Sequence, residues 1–287
     1  MVNDHLQDCC APGATFRDEM IRVSPAAELR VITFTPPKRS PVPPVVFVAG
    51  WISLIRGWEK VLREMTADFR VVYVETREKI SSQIAGSQNF GVEDIGGDIV
   101  SLVKNLRLEK YILFGSSLGA TAIIDSYRSL DPKPVSLILV APNATFRVPA
   151  SWKAIVTLFY APLYAVIRPS VKWYLRNFRL DVRMDAAQYE KYCEALDAAE
   201  PRKLKKAVMA VWSYEVWDKL ASVDCPVLLV SAGRDRLHEP ENLRRIAARL
   251  PKVTEVDLGT NALTHDKPVV EAIRTFLQNN RLSHGNR

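Results

Sequence analysis

Short runs of Val, Ile, Leu and Phe alternate with helix-period segments along most of this 287-residue chain, and that alternation limits its fold more than any other feature. Residues 45–48, 71–74, 111–114, 135–140, 227–231 and 253–258 read as short strands, most of them apolar enough to be buried on both faces. Residues 58–67, 94–106, 118–130, 239–250 and 268–279 read as the helices that follow them. The order implies an α/β fold with a mostly parallel central sheet and helices on both faces. Ahead of it, 15–23 and 29–35 form an expected strand pair, and a Pro-rich connector spans 35–44. Residues 1–14 read as a loose tail carrying the vicinal pair Cys9-Cys10.

The alternation stops between about 145 and 218, where Trp, Tyr, Leu, Lys and Arg recur at helical spacing. This segment is the expected helical lid, inserted between core segments 15–144 and 219–282, because additions at the carboxyl edge of such a sheet overlie its site. From Arg147 to Arg183 seven Lys or Arg accompany the single Asp181, a local excess of six positive charges. The apolar stretch 154–167 within it is shorter than the roughly 20 residues that span a bilayer. Two readings of that stretch stand: ordinary core with a solvated basic face, or an acyl pocket or interfacial surface whose basic rim meets anionic headgroups.

With 48% hydrophobic residues the chain can bury a full core. Four cysteines at irregular spacing suit neither a disulfide framework nor a zinc site, and the N-terminus carries acids in place of a signal-like apolar run. A cytoplasmic protein is expected, with peripheral membrane contact under the second reading of 154–167. Nucleic acid is not an expected partner, since the basic residues are interleaved with bulky apolar ones and no binding motif appears.

The strand at 111–114 runs into Gly115-Ser116-Ser117-Leu118-Gly119 and then into a helix. A serine at the apex of so sharp a turn brings the residues two before and two after it against its own strand and helix. Glycine at 115 and 119 answers that demand. Ser117 is therefore the candidate nucleophile and Ser116 a small neighbour that fits the turn.

A serine hydroxyl needs a base within reach and a third group to orient that base. His5 and His284 lie outside the strand–helix pattern. His265 follows the last strand at the carboxyl edge and is the candidate base, with His238 its rival. Asp235, after the strand at 227–231, is the candidate orienting acid. Asp266 is the alternative, but its adjacency to His265 makes a contact awkward and it suits a helix cap. Asn143 stands at another edge position where an acid could have served.

The chain order Ser117, Asp235, His265 resembles that of the α/β-hydrolase fold, over about residues 15 to 280. VFVAGW, ending at Trp51, is similar to the strand and turn that usually read His-Gly-x in that family. The resemblance implies an oxyanion hole from the backbone N–H groups of Leu118 and Trp51. It further implies hydrolysis of a carboxylic ester or thioester through an acyl-enzyme, an apolar acyl substrate, and no metal or organic cofactor. Carbon–carbon hydrolysis, acyl transfer and ligand binding without turnover use the same scaffold and stay open. Two departures stand out: Ala49 replaces the usual His, and residues 75–82 replace an Asp- and Gly-containing loop, so that this loop must take another path.

Overall fold

The computed structural model describes residues 4–146, 156–157, 163–180, 182–183, 185–234 and 240–285. Its nine strands form one sheet: β1 (Thr15–Ser24), β2 (Ala27–Thr35), β3 (Val45–Val48), β4 (Val71–Val74), β5 (Gln83–Ile84), β6 (Ile112–Ser116), β7 (Ser136–Val140), β8 (Val227–Ser231) and β9 (Val253–Asp257). The order is β1-β2-β4-β3-β6-β7-β8-β9, with β5 on β2. Pairing is parallel from β4 through β9 and antiparallel among β1, β2, β4 and β5. Strand order reverses at β3, so a crevice opens beyond the carboxyl ends of β3 and β6.

The helices are α1 (Asp4–Asp8), α2 (Glu59–Met65), α3 (Val92–Asn105), α4 (Leu118–Ser126), α5 (Tyr164–Tyr174), α6 (Ala186–Ala198), α7 (Pro201–Val211), α8 (Pro240–Ala247), α9 (Asn261–Thr264) and α10 (Lys267–Gly285). Successive strand side chains point to opposite faces, and the two cores follow that period. Val46, Val48, Val72 and Val74 pack with α3, α4 and α8 through Ile95, Ile99, Ile123 and Ile246. Val45, Phe47, Val71 and Tyr73 pack with α2 and α10 through Leu62, Val269 and Ile273. Both faces are thus covered, as the uninterrupted apolar runs require. At the opposite extreme β1 is an edge strand whose Arg17, Asp18 and Glu19 keep it wet.

One region differs from the sequence reading, and a second shows what the sequence did not. The segment before β1 is no loose tail at the cysteines: Leu6, Cys9, Cys10, Ala11 and Ala14 are buried in the second core, and burial pushes the Cys9 thiol up to about 12. Thr66 fastens it by donating to the Cys9 carbonyl and accepting from the Ala11 N–H. The loop at 75–82 buries its charges: Glu75, Arg77, Glu78 and Lys79 are each below 8% exposed. Arg77 forks onto both Asp98 oxygens at 2.7 Å, and Lys79 stands 3.5 Å from Glu75.

Candidate active site

Strand β6 enters a turn whose geometry is set by Ser117, at φ 48° and ψ −116°. Non-glycine residues rarely adopt such a positive φ, and persistence there marks a backbone held by its surroundings. The Ser117 N–H donates to the Val140 carbonyl on β7, while its own carbonyl accepts from the Thr121 N–H inside α4. A Cβ on Gly115 would stand 2.6 Å from the Ala120 Cα, and one on Gly119 would stand 2.4 Å from the Val48 carbonyl oxygen. Neither position has room for a methyl group; at 115 the obstacle is the serine's own helix, as read from the spacing, and at 119 it is the backbone of β3. Ser116, the last residue of β6, is 7% exposed.

Leu118 opens α4, and the first N–H groups of a helix have no partner within it. Gly50 lies close to the serine: a Cβ there would be 3.4 Å from the Ser117 Cβ. The Gly50–Trp51 peptide therefore runs beside the serine. The buried indole N–H of Trp51 has no hydrogen-bond partner among the described residues.

Asn143, three residues past β7, donates from Nδ2 to Ser117 Oγ at 3.2 Å. Thr121 Oγ1 holds this loop by donating to the Asn143 carbonyl at 2.7 Å. The sequence singled out Asn143 only as a place for an acid; its actual contact is with the serine.

His265 lies between the short α9 and α10. Its ring stacks on Trp58 with centroids 4.0 Å apart, and Trp58 is held by its own Nε1 donating to Ser53 Oγ. Nδ1 is 3.0 Å from the Asn261 carbonyl and 3.0 Å from Thr264 Oγ1. Nε2 is 3.0 Å from Nζ of Lys191, which rises from α6 and reaches Asn261 Oδ1 as well. Nothing in the sequence marked Lys191, since 74 residues separate it from His265.

Asp266 turns away from the ring. Its carboxylate takes the Lys60 ammonium at 2.8 Å and the Lys267 N–H at 2.7 Å, and these hold it below the usual carboxylate range. It stands at the start of α10, the capping position expected of it. Asp235 and His238 lie outside the described residues. The turn before them is braced by Asp257, whose Oδ1 accepts the Gly233 and Gly259 N–H groups at 2.8 Å each.

Helices α5 to α7 pack over this edge: Tyr164, Ala195, Leu196 and Leu204 form a cluster with Ile52 and the partly buried Trp51. Asp185 ties α6 to the histidine turn by capping Gln188 N–H and accepting the Ala262 N–H, both at 2.9 Å. Lys203 of α7 donates to the carbonyls of Lys79 and Ser82, and burial lowers its pKa. Much of the stretch 154–167 lies outside the described residues; Leu163 and Val166 within it are exposed. A separate cleft of 470 Å³ lined by Lys60, Arg63, Asp266 and Lys267 lies on the α2 and α10 side and includes neither Ser117 nor His265. Among the described residues no group of His, Cys, Asp and Glu could hold a metal, and no helix is long and apolar enough to cross a membrane.

No family model matches the chain, and no curated protein sequence matches it. Solved structures match it closely in fold. A thermophilic esterase from Thermogutta terrifontis superposes with a TM-score of 0.74 at 20% identity, over 92% of this chain and 98% of that one. A bromoperoxidase from Bacillus anthracis gives 0.74 at 17% identity, over 91% and 100%. An enol-lactonase from Burkholderia xenovorans LB400 gives 0.72 at 15%, over 88% and 97%. The chain has the α/β-hydrolase fold.

Proposed function

We propose that this protein is a serine hydrolase that cleaves a carboxylic ester or thioester through an acyl-enzyme. The observation that carries the reading is the conformation of Ser117, at φ 48° on a strand-to-helix turn closed to any side chain at 115 and 119. Backbone strain of this kind persists where function demands it, and here it lifts a hydroxyl to the carboxyl edge of the sheet.

In this reading Ser117 Oγ attacks the acyl carbonyl while Nε2 of His265 takes its proton. Asp235 orients the imidazole. The backbone N–H groups of Leu118 and Trp51 bind the oxyanion, supported by the start of α4 at Leu118 and by the close approach of Gly50 to the serine. The Asn143 amide, donating to Oγ, leaves the hydroxyl proton to point at a base. His265 then returns the proton to the leaving group and activates the water that releases the acyl chain. The neighbours in fold include an esterase and an enol-lactonase, which supports hydrolysis at an acyl carbon.

Helices α5 to α7 act as the lid. Val166, Trp173 and Phe178 are exposed at 73%, 60% and 63%, more apolar surface than a solvated helix face needs, which favours a long acyl chain and contact with a lipid surface.

The test is labelling by a fluorophosphonate, followed by a panel of acyl esters and thioesters of graded length. Labelling should map to Ser117 and vanish in Ser117→Ala, whose turnover should fall by about three orders of magnitude or more with the melting temperature unchanged. Labelling retained in Ser117→Ala and lost in Ser116→Ala reassigns the nucleophile, and no labelling at all favours a ligand-binding protein. Equal rates on acetyl and long-chain esters, with no binding to anionic liposomes at low salt, remove the long-chain and lipid parts of the reading.

A further inference from the structure

We infer that Trp51 is a specificity residue whose indole N–H donates to an uncharged oxygen, such as an ether, keto or hydroxyl oxygen, that the substrate carries within a few bonds of its scissile carbonyl; the inference rests on the acyl-hydrolase reading above. A buried donor here has nothing to donate to. The indole Nε1 of Trp51 is enclosed and has no hydrogen-bond partner among the described residues. A tryptophan N–H buried in this way ordinarily finds one. Trp58 gives its own to Ser53 Oγ at 2.9 Å, and Trp217 gives its own to Thr145 Oγ1 at 2.7 Å.

The ring is fixed by its backbone and its neighbours. Gly50, Trp51, Ile52 and Ser53 form a turn closed by the Ser53 N–H donating to the Gly50 carbonyl at 3.1 Å. The third residue of this turn has φ 47°, a conformation that suits Gly or Asn, and it falls on the β-branched Ile52. Strain of that kind lasts only where the surroundings impose it. Ser53 is tied to Trp58, and the buried Ile52 packs with Tyr164 of α5, Leu196 of α6 and Leu204 of α7. Trp51 packs against that same cluster and also against the core that holds Leu118, so its indole lies where the covering helices meet the sheet edge.

Covalent geometry sets where the acceptor must be. The backbone N–H of this residue is one of the two oxyanion donors in the reading above, and Nε1 lies within about 6 Å of that nitrogen along its own side chain. Atoms a few bonds from a carbonyl held there come within reach of the indole. The indole only donates, so only an acceptor satisfies it. With α5 to α7 packed on the ring and no acceptor present, the N–H is cut off from water and unpaired, which penalises the closed arrangement. A substrate that brings an oxygen to this position removes the penalty and adds a hydrogen bond. An all-carbon isostere leaves the donor stranded, and a site built to hydrogen-bond rejects such an analogue far better than an apolar pocket rejects one methylene. The rest of the substrate stays apolar, to match Ile52, Leu196 and Leu204.

The test uses pairs of esters in which an ether oxygen replaces one methylene: methyl methoxyacetate with methyl butanoate, methyl β-methoxypropionate with methyl valerate and, on the alcohol side, methoxyethyl acetate with butyl acetate. The ether-to-alkyl ratio of kcat/KM is measured in the wild type, in Trp51→Phe and in Trp51→benzothienylalanine, which keeps the fused rings and puts sulfur in place of the N–H. Dividing the wild-type ratio by a variant's cancels the intrinsic reactivity of the two esters. At least one pair should then give about fivefold or more with both variants, the scale of a buried donor paired against the same donor left unpaired. The same ratio can be read without turnover, as the concentration of each ester that protects Ser117 from a fluorophosphonate. Ratios that agree within about twofold for every pair in all three proteins, with Ser117 still labelling, overturn the role of Trp51 and leave the serine hydrolase intact. A ratio that falls in Trp51→Phe but holds in Trp51→benzothienylalanine assigns the preference to ring size and overturns the role of the N–H as well. Failure of Ser117 to label in the wild type overturns the acyl-hydrolase reading itself and this inference with it.

Discussion

Gly119 and Gly259 are the same residue with opposite reasons for being glycine. Gly119 has an ordinary φ but no room, since a Cβ would meet the Val48 carbonyl oxygen at 2.4 Å and that of Ala49 at 2.7 Å. Both obstacles are backbone and cannot rotate away. Gly259 has room, with nothing within 4 Å, but its φ is +79°. Gly119→Ala should therefore cost roughly 3 kcal/mol and displace the strand β3 turn from the serine. Gly259→Ala should cost only about 1 kcal/mol of backbone strain. Urea midpoints and the rate of fluorophosphonate labelling check the pair: the first variant should lose both, the second little of either. Equal stability losses would mean that the turn around Ser117 relaxes freely. The tightness at 115 was legible in the sequence because it is a local demand, set by Ala120 five residues on; that glycine is needed at 119 was legible too, but the β3 backbone that closes it was not. The contact of Lys191 with His265 was not, because it depends on how α6 packs across the sheet edge.

Strands and their turns decide whether the loops carrying the candidate acid and base stay in register. Asp257, the last residue of β9, accepts N–H groups from Gly259 and Gly233 on one oxygen, and these bonds lower its pKa, that of Gly259 most. The strand was legible from its apolar positions; the brace was not, because an exposed Asp at a strand end usually does nothing more than meet water. A carboxylate with a folded pKa below its unfolded value stabilises the native state above the unfolded value. That contribution is lost as pH falls through the folded one. Asp257→Asn keeps an acceptor at the same place and removes the charge, whereas Asp257→Ala removes both. The stability gap between wild type and Asp257→Asn should close as pH is lowered from about 5 towards 2. Asp257→Ala should stay less stable by about 1 kcal/mol near neutral pH and should also slow turnover. A gap that is flat with pH would show that geometry alone, without charge, makes the brace.

At the scale of the whole molecule, the loop at 75–82 links the sheet to the helices that cover its edge, through Lys203 of α7 donating to the carbonyls of Lys79 and Ser82. In sequence it reads only as a loop that must follow another path. Nothing in the sequence marks its charges as buried, which they are because Asp98 on α3 lies where the Arg77 guanidinium can fork onto it. A pairing across 21 residues leaves no local signature. Burying two ions costs about as much as their attraction returns, so the pair as a whole adds little; losing one partner is what hurts. Asp98→Ala strands the guanidinium, which keeps its bond to the Asn89 carbonyl and a 3.5 Å approach to Asp94. The expected loss is about 3–5 kcal/mol in urea unfolding. Combining it with Arg77→Met should restore most of that loss, since an apolar stem then fills the site with no charge to desolvate. Losses that simply add in the double variant would mean that Arg77 stabilises the loop chiefly through Asn89 and Asp94, and that the fork onto Asp98 is not what closes this loop beneath α7.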